Sequence, residues 1–318
     1  MASESTLSSR RTFPDGAHIL FRKGADGWPL RSVAWAEPDG PPRGSILFLG
    51  GRGDHFEKYL ESFADWRARG WQVESVDWRG QGGSGRLSGN PHVGHCNSFG
   101  QWIDDIAGYA AEWQARTAGP HIIIGHSMGG HLVLRALAER RIAPDAAVLI
   151  APMLGFTAPY PDSVGHWIAR MMCRIGDPAR AAWQISEKPG SKISLRQMLL
   201  THDDDRYADE LWWRAKDPTL ELGPASWRWV EQAYASFHHL GQPELLERVT
   251  TPVLVLIASA DKLVNPAAAQ RLVARLPHAQ SYVYGREAAH ELLREVDAVR
   301  DTVLTRIEAF LDERASLS

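Results

Sequence analysis

The sequence predicts an α/β fold built on a mostly parallel sheet, and three observations lead there. Short, continuously apolar runs bounded by Gly or Pro recur at Ile46 to Leu49, Ile122 to Ile124, Ala146 to Ile150 and Val253 to Ile257. Runs of that length, rich in β-branched residues, suit strands buried on both faces. Helical stripes fill the intervals between them, and strands alternating with helices make a parallel sheet. The alternation fails in one place, between about 153 and 245, before Pro252 and Val253 resume it.

In chain order, AHILFR (17–22) and PLRSVAWA (29–36) read as two strands separated by the turn signal Gly24 to Gly27. The run Ile46 to Leu49 follows, then a helical pattern near 55–69 and the more mixed strand Gln72 to Trp78. Phe99, Trp102, Ile103, Ile106, Ala110 and Trp113 share one helical face, with Ser98 and Gln101 spaced as a capping box. Further helices are predicted near 128–140, 266–275 and 297–313, the last with Val299, Val303, Leu304, Ile307, Phe310 and Leu311 on one stripe. A strand at Ser281 to Tyr284 precedes that final helix. Residues 153–245 hold helical patches rich in Trp, Met and Arg without a buried-strand run. The expected organisation is therefore a core in two parts, 1–152 and 246–318, with 153–245 inserted between them. No fixed-period repeat is visible.

Composition narrows the function classes. Apolar residues make up 44% of the 318, and charged residues 23%, which excludes a wholly disordered or fibrous chain. Lys plus Arg (35) against Asp plus Glu (38) leaves a net charge of −3, which argues against nucleic acid as the main partner. Two cysteines, Cys96 and Cys173, make neither a disulfide framework nor a cysteine zinc site, and they suit a reducing compartment. The N-terminal residues contain no apolar h-region and the chain has no long apolar run, so a cytoplasmic protein without a membrane span is expected. Thirteen histidines include no H-E-x-x-H, and His92 with His95 or His238 with His239 lack companion ligands at motif spacing. No metal and no cofactor are expected.

The chemistry centres on Gly125-His126-Ser127-Met128-Gly129, a G-x-S-x-G directly after an apolar run and directly before a helical pattern. A sharp strand-to-helix turn needs small residues two before and two after the serine, and it lifts the hydroxyl out of the sheet. A serine hydroxyl attacks only when a base removes its proton, so a carboxylate and a histidine must follow in the order Ser, acid, His. Asp261 ends the segment that begins with Val253, and His290 lies in a loop after the Ser281 to Tyr284 strand. There the carboxylate would fix the imidazole tautomer that accepts the serine proton. His278 precedes its strand and would sit at the opposite edge of the sheet. Asp54 and Asp77 come before the serine, in the wrong chain order, and Asp297 opens the final helix as a cap or solvated charge. An oxyanion hole is expected from the backbone N–H groups of Met128 and Arg52. Arg52 lies in the loop Gly50-Gly51-Arg52-Gly53-Asp54-His55, whose glycines let N–H groups turn towards a ligand.

Two motifs are set aside. Gly80-Gln81-Gly82-Gly83-Ser84-Gly85 fits a dinucleotide-binding turn, but Pro91 and the absence of a helical stripe after it leave no helix for a pyrophosphate. Arg52-Gly53-Asp54 spells an adhesion tripeptide inside the predicted oxyanion loop.

The order of GGRGDH (50–55), DWRGQGGSG (77–85), GHSMGG (125–130), Asp261 and His290 resembles the α/β-hydrolase superfamily, in its monoacylglycerol lipase and lysophospholipase branch. That branch typically carries an H-G-x-G-E-H-type loop, and this sequence departs from it with Gly50 for His and Asp54 for Glu. Residues 200–230 resemble the cap of lysophospholipase L2-like proteins. The resemblance implies an eight-stranded, mostly parallel sheet with a helical cap inserted after the sixth strand. It also implies a serine carboxylester hydrolase acting on a monoacyl lipid, lysophospholipid or monoacylglycerol.

Residues 153–245 would then roof Ser127 with apolar surface that favours fatty-acyl esters, at about 0.8 kcal/mol per buried methylene. Of the 13 Trp, Trp167, Trp183, Trp212, Trp213, Trp227 and Trp229 fall in this stretch. Most are expected to pack the cap onto the core, with Trp212 or Trp213, together with Gly51, lining the pocket. Arg170, Arg174, Arg180 and Lys188 read as solvated surface charge rather than head-group ligands. An apolar cap mouth would touch a membrane or micelle transiently. The alternatives on the same triad are a small-ester esterase, a proline-type aminopeptidase and an acyltransferase. A catalytically silent binding module is the alternative from another class.

Overall fold

The computed structural model describes residues 10–35, 40–183 and 195–315. Eight strands form one sheet in the order β1-β2-β4-β3-β5-β6-β7-β8. They are β1 Ala17–Lys23, β2 Pro29–Trp35, β3 Gly44–Leu49, β4 Trp71–Val76, β5 His121–His126, β6 Ala146–Ile150, β7 Val253–Ala258 and β8 Ala279–Tyr284. The pairings β1 with β2 and β2 with β4 are antiparallel, and all the others are parallel.

The continuous apolar runs are explained by two cores, one on each face of the sheet. Ile46 and Phe48 of β3, Ile122 and Ile124 of β5, and Leu254 and Leu256 of β7 point into one core. Their neighbours Leu47, Leu49, Ile123, Val253 and Val255 point into the other. Side chains alternate along a strand, so a strand covered on both faces must be apolar at every position. Helices α1 (Leu60–Ala68) and α9 (Asp297–Ala315) cover the first face. Helices α2 (Phe99–Arg116) and α3 (Met128–Ala138) cover the second, and α8 (Pro266–Val273) contributes Ala269 and Val273 to it. The stripes predicted on α2 and α9 are the buried ones.

The capping box at Ser98 forms only in part. Ser98 Oγ accepts from Gly100 N–H at 3.0 Å, whereas the side-chain oxygen of Gln101 is buried without a hydrogen-bond partner among the described residues. The Ser98 hydroxyl satisfies a donor one residue earlier than the capping-box pattern requires, and the reciprocal half is missing.

Between β6 and β7 lie α4 (Asp162–Arg174), α5 (Leu195–Leu200), α6 (Asp204–Lys216) and α7 (Trp227–Leu240). Helices α4 and α7 pack against each other, and α7 contributes Trp229, Ala233, Tyr234, Phe237 and Leu240 to the second core. The glycine-rich segment after β4 folds back instead of opening a helix. Gly83 N–H donates to Asp77 at 2.8 Å, and Ser84 Oγ both accepts from Arg31 N–H and donates to Asp77 O, each at 2.8 Å. That turn ties β2 to the end of β4.

Candidate active site

The end of β5 and the start of α3 meet at Ser127, whose backbone sits at φ 52° and ψ −115°. A non-glycine residue in this region is strained, and the surroundings must hold it there. Ser127 N–H donates to Ile150 O at 2.9 Å, and Ser127 O accepts from His131 and Met153 N–H, each at 3.0 Å. The flanking glycines have no alternative. A Cβ on Gly129 would lie 2.2 Å from Leu49 O and 2.5 Å from Gly50 O, and one on Gly125 would lie 2.7 Å from Gly130 N. These are backbone atoms, so the turn closes only with glycine at both positions.

Asp261 follows β7 and His290 follows β8, so both come from the C-terminal edge of the parallel strands, where sites of open α/β sheets gather. His290 Nε2 lies 2.8 Å from Ser127 Oγ, and His290 Nδ1 lies 2.6 Å from Asp261 Oδ2. The other Asp261 oxygen accepts from Leu263 N–H at 2.8 Å and Val264 N–H at 3.1 Å. All three residues are buried. Burial alone would raise the Asp261 pKa, but His290 and these hydrogen bonds hold it below the ordinary carboxylate value. Burial would likewise depress the imidazole, yet Asp261, with Glu291 and Asp54 behind it, raises His290 above its ordinary value.

The loop after β3 abuts the serine, since a Cβ on Gly51 would lie 3.0 Å from Ser127 Cβ. Gly51 N–H is tied to Asp54 Oδ2 at 2.7 Å and Gly53 N–H to Gln81 Oε1 at 2.6 Å. Arg52 stands between these anchors, and Met128 is the first residue of α3.

A buried charge layer lies behind this loop. Lys58 Nζ, fully enclosed, meets Asp54 at 2.5 Å, Glu291 at 2.7 Å and Glu210 at 3.1 Å. Glu210 also faces Arg196 at 2.8 Å, Arg214 at 2.5 Å and Arg294 at 3.2 Å. Burial would raise the Glu210 pKa, but Arg196, Arg214, Lys58 and Arg294 hold it well below the carboxylate range. Lys58 stays charged because its three carboxylates outweigh the desolvation that would lower it. Asp54 also accepts from Tyr59 Oη at 2.7 Å, and its Oδ2 lies 3.2 Å from His126 Nδ1. Asp77 is engaged by Arg31 at 2.6 Å, and Asp297 by Arg206 at 2.7 Å. Each of the acids set aside as triad members is thus held by a cation.

Ser127, His290 and Gly51 open into a cavity of about 480 Å³, also lined by Met153, Phe156, Leu200, Trp229 and Tyr234. Trp183 and Trp227 complete the aromatic wall, whereas Trp212 and Trp213 do not line it. Those two sit on α6, whose buried face turns to the segment around Phe56 and to the N-terminal residues. Trp213 packs 5.3 Å from the Phe13 ring and donates Nε1–H to Arg10 O at 3.1 Å, and Trp212 stacks edge-on to Trp213. Their expected place in the pocket is corrected: a Trp pair in an amphipathic helix does not reveal which neighbour its apolar face meets. Arg170 and Arg174 are exposed and Arg180 half-buried, while Lys188 lies outside the described residues. The arginines that do line the cavity are Arg52 and Arg196. Neither side chain was singled out from the sequence, because their surroundings come from chain segments far apart.

A model of the family described as serine aminopeptidase, S33, matches residues 40–297. Lysophospholipase L2 of Escherichia coli (strain K12) is 30% identical over 286 residues, covering 86% of this chain and 82% of that protein. Monoacylglycerol lipase of Mycolicibacterium smegmatis is 31% identical over 247 residues, covering 75% of this chain and 78% of that one. Among solved structures, a soluble variant of monoglyceride lipase from Saccharomyces cerevisiae superposes with a TM-score of 0.74 at 17% identity, covering 95% of this chain and 96% of that chain. At that identity the likeness is one of fold.

Proposed function

The chain belongs to the serine aminopeptidase S33 family of α/β hydrolases, in its lysophospholipase and monoacylglycerol lipase branch, and from that membership we propose that Ser127, His290 and Asp261 hydrolyse the ester of a monoacyl lipid. The observation that carries the proposal is the unbroken relay of 2.8 Å and 2.6 Å from Ser127 through His290 to Asp261, opening into an apolar-walled cavity.

Ser127 Oγ attacks the ester carbonyl carbon while its proton passes to His290 Nε2, and Asp261 stabilises the imidazolium through Nδ1–H. The carbonyl electrons move onto oxygen, which the N–H groups of Met128 and Arg52 receive; Gly51 lets the loop approach the serine. Collapse of the tetrahedral adduct breaks the bond to the glycerol oxygen, which leaves with the proton from Nε2. Water then attacks the acyl-enzyme and gives His290 a proton; the second collapse returns that proton to Ser127 and releases the fatty acid.

Residues 153–245 serve in this reading as a cap, with Phe156, Trp183, Trp227, Trp229 and Tyr234 as the acyl wall. An aminopeptidase would need a free carboxylate to hold the substrate's ammonium group. The carboxylates Asp54 and Glu291 that reach the cavity are both bound by Lys58. Tyr160, which lines the cavity, and Val164, Trp167 and Ile175 are exposed on and beside α4. They support transient contact with a micelle or membrane surface. No helix among the described residues is long and apolar enough to cross a membrane. The free thiols Cys96 and Cys173 support a cytoplasmic home.

The test is labelling with a fluorescent fluorophosphonate, beside Ser127→Ala, with long-chain lysophosphatidylcholine and monoacylglycerol as competitors and vesicle co-sedimentation in parallel. We expect labelling of the wild type, none in the variant, and protection by monoacyl lipid. Absence of labelling in folded wild-type protein overturns the nucleophile assignment.

A further inference from the structure

Arg52 is unusual among the arginines around the site. It carries its guanidinium into the cavity wall, against Trp229 at 5.4 Å and Trp183 at 5.8 Å from the ring centres. One terminal nitrogen donates to Gly223 O. Its Nε is buried with no hydrogen-bond partner among the described residues, and none of their carboxylates forms an ion pair with Arg52. A buried charge without a counter-charge is costly unless something else supplies one. The aromatic contacts compensate only in part.

The second cation on this wall is Arg196, which Glu210 and Glu291 hold in its charged form against the cost of burial. Among the described residues the carboxylate in ion-pair contact with it is Glu210, which is shared with Arg214, Arg294 and Lys58. Lys58, Arg196, Arg214 and Arg294 surround Asp54, Glu210 and Glu291, and of these four cations Arg196 is the one that lines the cavity. Lys262 adds an exposed ammonium at the rim. Burial and the field of Arg196 together push the Arg52 pKa down to about 10, so both groups are cationic at neutral pH and repel each other. An anion held by both would give Arg52 the counter-charge it lacks and screen it from Arg196. Guanidinium groups suit a phosphate in particular, since their planar forks donate two parallel hydrogen bonds to its oxygens.

The placement fits a lipid ester. Arg52 follows Gly51, whose Cβ position is 3.0 Å from Ser127 Cβ. The Arg52 side chain then runs away from the serine towards Gly94 and Gly223. In a lysophospholipid the phosphate follows the scissile ester by the length of the glycerol backbone. We infer that Arg52 and Arg196 form a head-group subsite for the phosphodiester of a lysophospholipid, so that of the two monoacyl lipids the site is built for the phosphorylated one. The inference rests on the hydrolase reading above and narrows its substrate class.

Two measurements test it, one independent of turnover. The first is the ratio of kcat/KM for lysophosphatidylcholine to that for monoacylglycerol of the same acyl chain. Loss of a charge-assisted hydrogen-bond pair is expected to lower this ratio about tenfold or more in Arg52→Gln, with Arg196→Gln in the same direction and Arg52→Lys retaining part of it. The second is binding to the Ser127→Ala protein, read by tryptophan fluorescence. Lysophosphatidylcholine should bind more tightly than monoacylglycerol, and adding Arg52→Gln should remove the difference. A ratio and a binding preference that stay within twofold of the parent protein in both Gln variants overturn the inference. Inorganic phosphate competing as well as glycerophosphocholine does so too, since it marks a free-anion site. If the wild type cleaves neither lipid, the hydrolase reading fails, and the binding arm still decides the subsite.

Discussion

The two walls of the cavity are built by different means. On the sheet side, Ser127, Asp261 and the loop after β3 are fixed by backbone hydrogen bonds and by glycines pressed against carbonyl oxygens. On the helical side, Trp183, Trp227, Phe156 and Tyr234 hold position through side-chain packing with neighbours that can repack. Backbone-fixed geometry tolerates little displacement, whereas a packed apolar wall adjusts and changes affinity by degrees. Substitutions on the sheet side should therefore switch activity off, and those on the helical side should tune it.

The largest effect is expected from Asp261→Asn. The change keeps the shape but leaves Nδ1 facing a neutral group, so the tautomer that accepts the serine proton is no longer favoured; kcat should fall about 10³- to 10⁴-fold. Wild-type pH dependence follows from the same contact. His290 acts as base only when neutral, and its pKa is raised, so the acid limb of kcat/KM should lie above the ordinary imidazole value of 6.5. Removing the Asp261 charge lowers the imidazole pKa, and the residual activity of the variant should show its acid limb at lower pH. A limb that does not move, or a loss of less than tenfold, would place the catalytic base elsewhere.

Next in size is the charge layer behind the loop. Lys58→Met leaves Asp54, Glu210 and Glu291 buried without their shared ammonium, which should destabilise the fold by about 3–5 kcal/mol. Denaturant unfolding at neutral pH measures this. The folded-state pKa values of these three carboxylates lie below their ordinary values. Their contribution is therefore present above the ordinary carboxylate range and lost as pH falls through the folded values. In the variant that loss should begin at higher pH. A change below 1 kcal/mol would mean the layer is dispensable and the loop is held by its glycines alone.

The same contrast governs what could be read from the chain. Each sheet-side feature has a local signature: an apolar run for a doubly covered strand, glycines flanking Ser127, and Asp261 and His290 each just past a strand. The charge layer has none, because Lys58 meets partners 152 and 233 positions away along the chain. Lys58 stands beside Glu57 in the sequence, a pairing that reads as ordinary surface charge and gives no hint of burial. The helical wall was legible as apolar, through its tryptophans, but not in its facing. Periodicity identifies the buried stripe of α6 and leaves open whether that stripe meets substrate or the N-terminal residues.

That ambiguity sets the smallest prediction, a pair of substitutions read together. Trp183 lines the cavity and Trp212 does not, although both lie in the same Trp-rich stretch and both keep part of their surface in water. Trp183→Ala removes wall from the acyl path. If one or two methylenes lose their contact at about 0.8 kcal/mol each, kcat/KM for long-chain esters should fall about 4- to 15-fold relative to short-chain esters. Trp212→Ala removes a ring stacked on Trp213 and lying under Lys216 and Arg11. It should lower the unfolding temperature while changing kcat/KM less than about twofold at every chain length, as expected of packing remote from substrate. A chain-length-dependent loss in Trp212→Ala would show that α6 reaches the acyl chain during turnover, and the division between a tuning wall and a packing layer would then have to be redrawn through α6 itself.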